Sequence, residues 1–399
     1  MGWTGFKRKD GTKGIRNKVL VIYTVKCSEF VARRITEEIH SQDVELLGFD
    51  GCTDNQYAVR MLIAMIRNPN VGGVLAVGLG CEYVRPQELC RIAREEGKEG
   101  EWLYIQEEGG TEPSIQKGIG LVHRMVKVLQ ETPKEGMDFS ELIIGAECGG
   151  SDYTSGLIGN VLVGRFFDFL VDQGGTAIFE EIVEAVGLSD LLIARGIDEK
   201  AKRELQYTYK KAMEYCRSVG QYSISPGNFT GGLSTIEEKS MGALIKSGSR
   251  LIQGVLKVSQ RPVKPGLWLL DSTPDPGGVS FGISNPNDSE GLMDLISCGA
   301  HMVFLVTGRG NVVGSAVSPC IKITGNHQTF EKMKGDMDFD AGLALEKGIS
   351  QKEILEQLIC LVVETAGGKY TKGEKLGHKE FFIPYKYQEE RVCFKNIGS

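Results

Sequence analysis

Residues 19–23 read VLVIY, a short apolar run that predicts a buried strand. The stretch after it places Val31, Ile35 and Ile39 four residues apart, which is the spacing of one face of a helix. Three further pairs of an apolar run and an amphipathic stretch follow within the first 130 residues. Alternation at this spacing predicts an α/β fold, with a parallel, doubly wound sheet in the N-terminal domain.

The length of the chain, 399 residues, exceeds that of a typical single hydrophobic core and predicts two domains. The polar stretch TPKEG at residues 132–136 predicts the boundary, with one domain over 1–133 and the other over 138–399. A new strand over 142–146 should open the second domain, which we expect to be larger and a more irregular α/β unit. The segment 271–288, which contains several prolines and glycines, predicts a long loop.

Charge and hydropathy exclude several classes of partner. The formal net charge of −6 provides no basic surface for nucleic acid. The first residues lack the apolar core of a signal peptide, and no run of 18 apolar residues occurs. We therefore expect a cytoplasmic protein with no membrane segment, in which the ten cysteines are free thiols or metal ligands and not disulfides.

Four predicted strands end in a short turn that carries a cysteine: Cys27, Cys52, Cys81 and Cys148. The carboxyl ends of parallel strands meet at one edge of a sheet, where ligands bind. Soft thiolates there suit iron, zinc or an iron–sulfur cluster. The alternative is that each cysteine is a small buried hydrophobic residue. Three other cysteines lie on helical stretches and are expected in the core: Cys90, Cys216 and Cys360.

Polar residues crowd three further turns. The segment ECGGSD at 147–152 suits a turn whose backbone N–H groups face a carboxylate or a hydroxyl, or a tight turn with a capping serine or aspartate. The segment EEKS at 237–240 places Lys239 beside carboxylates, either as a base or in a solvated helix start. Arg309 lies on a glycine turn after an apolar run and could bind a carboxylate. No nucleotide-binding fingerprint occurs.

Ordered motifs along nearly the whole chain resemble the altronate and galactarate dehydratase family. They are GF at 5–6, GIRN at 14–17, TVKC at 24–27, GLGCE at 78–82, ECGGSD at 147–152, PGN at 226–228, EEKS at 237–240, TGRG at 307–310 and DMD at 336–338. The chain departs from the family pattern around Cys52 and after the Gly-Arg-Gly turn. These departures leave the particular sugar acid open.

The resemblance implies an enzyme that removes water from a sugar acid such as altronate or galactarate, giving a 2-keto-3-deoxy acid. It also implies Fe²⁺ or another divalent metal, with an iron–sulfur cluster as a further possibility. A metal ion would stabilise the enediolate formed when the C2 proton is removed. The hypothetical roles are catalysis by Asp152, Glu238 and Lys239; substrate binding by Arg16, Asn17, Ser151, Asn228 and Arg309; and metal binding by Cys27, Cys52, Cys81 and Cys148.

Fused members of this family begin with a small domain of the SAF type. The motif at Gly5 and Phe6 belongs to the domain that follows it, so the resemblance implies a separate small SAF-domain subunit and a large subunit formed by this chain. We also expect an oligomer. Two alternatives stay open: the beta subunit of a sulfolactate sulfo-lyase, which eliminates sulfite, and a catalytically inactive partner subunit.

Overall fold

The computed structural model describes residues 2–219, 226–275, 287–384 and 386. The chain divides into two compact units. The N-terminal unit contains Thr4–Met137, and the C-terminal unit contains the described residues between 138 and 380 together with Gly2 and Trp3. Most of the predicted loop over 271–288 lies outside the described residues, which resume at Asn287.

The N-terminal unit is built around a four-stranded parallel sheet, as predicted. Its strand order is β4-β3-β5-β6, and a small sheet of order β2-β1-β7 accompanies it. Its strands are β1 (Trp3–Lys7), β2 (Lys13–Gly14), β3 (Lys18–Tyr23), β4 (Val44–Gly48), β5 (Val71–Gly78), β6 (Glu99–Tyr104) and β7 (Lys134–Met137). Its helices are α1 (Lys26–Ile39), α2 (Gln56–Arg67), α3 (Pro86–Glu95) and α4 (Thr111–Gln130).

Burial explains why these segments take these forms. Every residue of β5 is buried, as expected for an inner strand of a parallel sheet with both faces covered. In α1 the predicted stripe is confirmed, because Val31 and Ile35 are buried in the core and Ile39 packs against it. Burial of one such side chain contributes roughly 1.5–3 kcal/mol to folding. The apolar stripe of α1 therefore determines which face of the helix covers the sheet.

The C-terminal unit contains a seven-stranded sheet of order β10-β11-β9-β8-β12-β13-β14, and every neighbouring pair is parallel. It is thus more regular than predicted. Its strands are β8 (Ile143–Cys148), β9 (Thr176–Phe179), β10 (Ile252–Lys257), β11 (Gly266–Asp271), β12 (Met302–Val306), β13 (Cys320–Thr324) and β14 (Phe339–Asp340). Its helices are α5 (Asn160–Asp172), α6 (Ser189–Ala194), α7 (Glu199–Val219), α8 (Pro226–Thr230), α9 (Ile236–Lys246), α10 (Asp288–Ser297), α11 (His327–Lys332), α12 (Leu343–Glu346), α13 (Gln351–Ala366) and α14 (Lys372–Leu376).

Strand β8 lies at the centre of this sheet, between β9 and β12. The sheet packs on α5, where the ring of Phe166 meets that of Phe304 edge-to-face at 5.1 Å. Both rings are fully buried. The apolar core holds β8 firmly, and the carboxyl end of the strand carries the segment 147–152 to the edge of the sheet where ligands bind in α/β proteins.

The helical cysteines divide between core and surface. Cys90 and Cys216 are buried, as predicted, but Cys360 is exposed and that prediction is wrong. The buried stripe of α13 includes Ile354, Leu358 and Val362, which recur every four residues. Cys360 lies two residues from this stripe and hence on the other side of the helix.

The longest helices are α4 with 20 residues and α7 with 21. Both are amphipathic and carry charged residues along one side. Within the described ranges, no helix combines the length and the apolar character that a membrane span requires.

Candidate active site

A small cleft lies at the carboxyl end of β8, between the segment 147–152 and α9. It brings together five residues that the sequence singled out, although they come from two distant segments. The residues that line it are Cys148, Ser151, Asp152, Ser155, Gly156, Asn160, Glu184, Leu233, Glu238, Lys239 and Gly242.

Backbone hydrogen bonds fix the loop after β8. The N–H of Gly149 donates to the carbonyl of Val306 over 2.7 Å. The carbonyl of Gly150 accepts the N–H groups of Gly308 and Arg309 at 3.0 and 3.1 Å. The loop after β8 and the loop after β12 therefore form one rigid wall beside the cleft.

Asp152 stabilises this wall from within. One carboxylate oxygen accepts the N–H and the hydroxyl of Thr154 at 2.8 and 2.6 Å, and the N–H of Ser155 at 3.2 Å. The other accepts the side-chain amide of Asn326 at 2.9 Å. Both oxygens are occupied, which agrees with the capping interpretation of this aspartate. The catalytic role of Asp152 stays a prediction.

Lys239 faces the cleft and pairs with a carboxylate that the sequence did not indicate. Its Nζ lies 2.7 Å from Glu184, and the two side chains are 10% and 9% exposed. Burial raises the pKa of Glu184, and the charge of Lys239 opposes that rise. The predicted partner, Glu238, instead accepts the N–H and hydroxyl of Ser234 at 2.8 and 2.7 Å. Consecutive helical residues do not face each other, so Glu238 and Lys239 point in different directions.

Cys148 is held on three sides. Its N–H donates to Glu181 over 3.1 Å. Its sulfur accepts a hydrogen bond from Lys246 at 3.1 Å and donates one to Asn160 at 3.6 Å. Burial raises the pKa of the thiol, and the nearby Lys246 ammonium partly offsets this rise. The thiol is therefore protonated at neutral pH.

Five carboxylates surround these groups: Glu147, Glu180, Glu181, Glu184 and Asp288. Burial raises the pKa of Glu147 well above its usual range, and the neighbouring Glu180 raises it further. One oxygen of Glu147 has no hydrogen-bond partner among the described residues. The pKa of Asp288 is also raised by burial. Burial thus raises the pKa of Glu147, Glu184 and Asp288 at this end of the sheet.

Sequence reasoning missed Glu181, Glu184 and Lys246, although each had a signal. The segment FEEIVE begins in β9 and runs past its carboxyl end, which is the sheet edge where ligands bind. Lys246 follows Lys239 by seven residues and so lies on the same side of α9, two turns further on.

Three predicted substrate-binding residues adjoin the cleft. Ser151 lines it, and the carbonyl of Ser151 accepts the side-chain amide of Asn228 at 3.1 Å. The guanidinium group of Arg309 donates to the carbonyl of Gly227. Arg309 is exposed, so its remaining N–H groups are available to a ligand at the rim.

The other three predicted metal ligands lie in the N-terminal unit. Cys27, Cys52 and Cys81 follow the adjacent strands β3, β4 and β5 and lie at one edge of the sheet, as predicted. A hydrogen bond of 3.1 Å from the N–H of Tyr83 to the carbonyl of Cys52 links two of the loops. All three cysteines are exposed, so the alternative of buried hydrophobic residues is wrong for them.

Arg16 and Asn17 precede β3 and therefore lie at the opposite edge of the same sheet. Strand β3 has six residues, which separates the two edges by roughly 20 Å. The side-chain amide of Asn17 donates to Leu129 and Thr132 at 2.9 and 3.0 Å. Arg16 is buried and donates to the carbonyl of Ile15. This arrangement indicates structural roles and does not place these two residues beside the three cysteines.

The donor groups at the cleft decide whether the predicted metal fits there. Among the described residues, no group of three or more histidine, cysteine, aspartate or glutamate side chains has the arrangement of a metal site. The thiol of Cys148 is already engaged by Lys246 and Asn160. The described side chains, as arranged, do not fit a metal ion, and metal dependence stays a prediction.

Comparisons with known proteins agree with the resemblance. Residues 5–130 match the family model of the D-galactarate dehydratase/altronate hydrolase second domain, and residues 139–389 match that of the D-galactarate/altronate dehydratase C-terminal domain. This chain belongs to the D-galactarate/altronate dehydratase family. The predicted family is therefore confirmed.

Three relatives illustrate the range of this family. The chain is 33% identical to an altronate dehydratase of Escherichia coli strain K12 and 31% identical to one of Bacillus subtilis strain 168. Each alignment covers 95% of this chain and 76% of the relative. The chain is also 30% identical to a (2R)-sulfolactate sulfo-lyase subunit beta of Chromohalobacter salexigens, over 96% of this chain and 97% of that protein.

Proposed function

We propose that this chain dehydrates a sugar acid such as altronate or galactarate to a 2-keto-3-deoxy acid, and that the reaction takes place in the cleft of the C-terminal unit. Membership of the dehydratase family supports the reaction class. The observation that supports the site is the Lys239–Glu184 pair, which lies in the same cleft as the Cys148 thiol. Dehydration needs a base and an acid, and this cleft supplies both.

Lys239 is the proposed base that removes the C2 proton. An ammonium group cannot accept a proton, so Lys239 must first give one up. Glu184, 2.7 Å away, is the proposed acceptor of that proton. Neutral Lys239 then takes the C2 proton, and the negative charge passes into the substrate carboxylate.

Cys148 is the proposed acid that assists the leaving group. Burial raises the pKa of its thiol and keeps it protonated. Transfer of this proton to the C3 hydroxyl as the C–O bond breaks releases water and leaves an enol. The enol tautomerises to the keto acid. Lys246 and Asn160 contact the sulfur, and metal binding by Cys148 stays a prediction.

Arg309 is the proposed partner of a substrate carboxylate. Its backbone N–H donates to the carbonyl of Gly150, in the loop that carries Ser151. A guanidinium group binds a carboxylate through two parallel hydrogen bonds, which also orients it. Ser151 and Asn228 complete this wall, since the amide of Asn228 supports the backbone of Ser151.

We further propose a small partner subunit of the SAF type and a cytoplasmic location. One relative is named subunit beta, and the chain spans 97% of it. Dependence on Fe²⁺, another divalent metal or an iron–sulfur cluster, as the family resemblance implies, is tested by metal analysis of the protein purified without oxygen.

The test is a substrate panel. Purified protein, alone and with proteins that co-purify from the native host, is incubated with altronate, galactarate, other aldonic and aldaric acids, and sulfolactate. We expect a 2-keto-3-deoxy acid from at least one sugar acid. Absence of product from every sugar acid, with folded protein and supplied metal, would contradict the proposal. Inactivity towards every compound would favour an inactive partner subunit.

Sulfolactate is the second candidate substrate, because the sulfo-lyase subunit is matched almost in full. Its elimination needs the same C2 proton abstraction but releases sulfite. Sulfite is a better leaving group than hydroxide and needs no proton from Cys148. Sulfite release without keto acid formation from sugar acids would favour this function.

A further inference from the structure

Lys246 is a buried lysine that the mechanism above does not use. It ends α9 and is 1% exposed. It does not line the cleft but lies behind Cys148, where its Nζ donates to the sulfur over 3.1 Å and forms an ion pair with Glu181. Burial of an ammonium group costs several kcal/mol, and an apolar residue is often as stable in such a place. A role beyond stability would account for this lysine.

Glu181 contacts the same cysteine from another direction. One carboxylate oxygen accepts the N–H of Cys148 at 3.1 Å, and the carboxylate pairs with Lys246. Its backbone has φ of 47°, in the left-handed region that non-glycine residues rarely occupy. Such a conformation is unfavourable and persists where the surroundings impose it. The contacts to Cys148 and Lys246 supply that constraint.

The third contact to Cys148 comes from Asn160, whose side-chain oxygen accepts the thiol at 3.6 Å. Asn160 begins α5, directly after a π-helical turn over Ser155–Gly159. Such turns are rare and occur often at functional sites. The sulfur is thus held between a donor and an acceptor, and its backbone N–H is held by a third group.

We propose that Lys246 and Glu181 are positioning residues that hold Cys148 at the wall of the cleft. This inference rests on the proposed function of the cleft. Lys246 and Glu181 should therefore affect turnover only through their contacts with Cys148. Two consequences follow: loss of either residue loosens Cys148, and loss of either costs nothing more once the thiol is absent.

The first experiment needs no substrate. Hydrogen–deuterium exchange is measured for the peptide that contains Cys148, in the wild type and in Lys246→Met. The control is Lys211→Met, because Lys211 is 5% exposed and pairs with Asp271 and Asp275 instead. We expect faster exchange at Cys148 in Lys246→Met and no change there in Lys211→Met. Equal exchange in the wild type and Lys246→Met would overturn the proposal whether or not the substrate is identified.

The second experiment is a double-mutant cycle on turnover. Lys246→Met should lower kcat by about a hundredfold, the cost of a misplaced catalytic group, with little change in KM. In the Cys148→Ala background the same substitution should lower kcat no further. An equal loss in both backgrounds would show that Lys246 acts through another group. Glu181→Gln keeps the size of the side chain and provides a second variant in case Lys246→Met fails to fold. We expect Glu181→Gln to lower kcat less than Lys246→Met does. In the Cys148→Ala background, Glu181→Gln should lower kcat no further.

Discussion

The two parallel sheets end in similar loops that carry different chemistry. At the carboxyl edge in the C-terminal unit, Cys148 is buried between Lys246 and Asn160. At the corresponding edge in the N-terminal unit, Cys27, Cys52 and Cys81 are exposed. In both units the cysteines follow parallel strands, but Cys148 is buried and the other three are exposed.

The difference shows that burial, more than position at a strand end, determines what a side chain can do. Buried Glu184 and Cys148 have raised pKa values because water no longer stabilises their charged forms. In the N-terminal unit the carboxylate of Glu82 accepts the N–H groups of Leu79, Gly80 and Cys81. At one edge burial raises the pKa of carboxyl groups, whereas at the other edge a carboxylate accepts the backbone N–H groups of a loop.

The largest effect should come from Lys239→Met. Removal of the proposed base should lower kcat by roughly 10²–10⁴-fold, the usual contribution of general acid–base catalysis. Steady-state kinetics on the accepted sugar acid measure it. Lys200→Met is the control, since Lys200 is 78% exposed and pairs with Glu204 on the surface. Unchanged turnover in Lys239→Met would show that the reaction does not take place in this cleft. The two sheet edges would then not differ in catalytic function.

Glu82→Gln should lower the free energy of unfolding by about 1–3 kcal/mol, because a neutral amide oxygen is a weaker acceptor for three backbone N–H groups and the Thr24 hydroxyl. Urea denaturation measures the change. Glu108→Gln removes an exposed ion pair with Lys117 in the same unit and should cost less than about 1 kcal/mol. Equal stability of the two variants would mean that Glu82 does not hold its loop.

The pH dependence of stability in Glu147→Gln tests whether burial raises the pKa of Glu147. The folded protein keeps a proton on Glu147 that the unfolded chain releases above the ordinary pKa, since burial raises the folded pKa. This contribution to stability is complete at acid pH and is lost as pH rises through the raised pKa, with a slope of up to about 1.4 kcal/mol per pH unit. Glutamine does not titrate, so the variant should lose less stability with rising pH. Glu356→Gln is the control, because Glu356 is 63% exposed, and its stability should change with pH as that of the wild type does. Identical slopes of stability against pH in the wild type and both variants would contradict the prediction.

The smallest effect is expected at the exposed edge. Simultaneous replacement of Cys27, Cys52 and Cys81 by serine should change stability by no more than about 0.5 kcal/mol for each exposed site. Labelling of the native protein with a thiol reagent should fall by these three sites, whereas Cys148 should react slowly in both proteins. Rapid labelling of Cys148 in the wild type would mean that the two edges do not differ in burial.

Much of the fold could be predicted because its signals are local. The apolar run predicts strand β3, and the spacing of Val31 and Ile35 predicts helix α1, each from a few neighbouring residues. Both predictions are confirmed. The site was predicted in part for the same reason. Its segments 147–152 and 237–240 stand out by composition, and the cleft brings residues of both together.

The sequence by itself thus determined the alternation of strands and helices, the family, and the two segments from which the cleft is built. Only the tertiary structure decided that Lys239 pairs with Glu184, that Asp152 is occupied by capping donors, and that Lys246 lies behind Cys148. The physical reason is separation along the chain: Lys246 and Cys148 are 98 residues apart, and no local pattern records their contact. Burial, which sets the charge state of these groups, arises only when distant segments pack together.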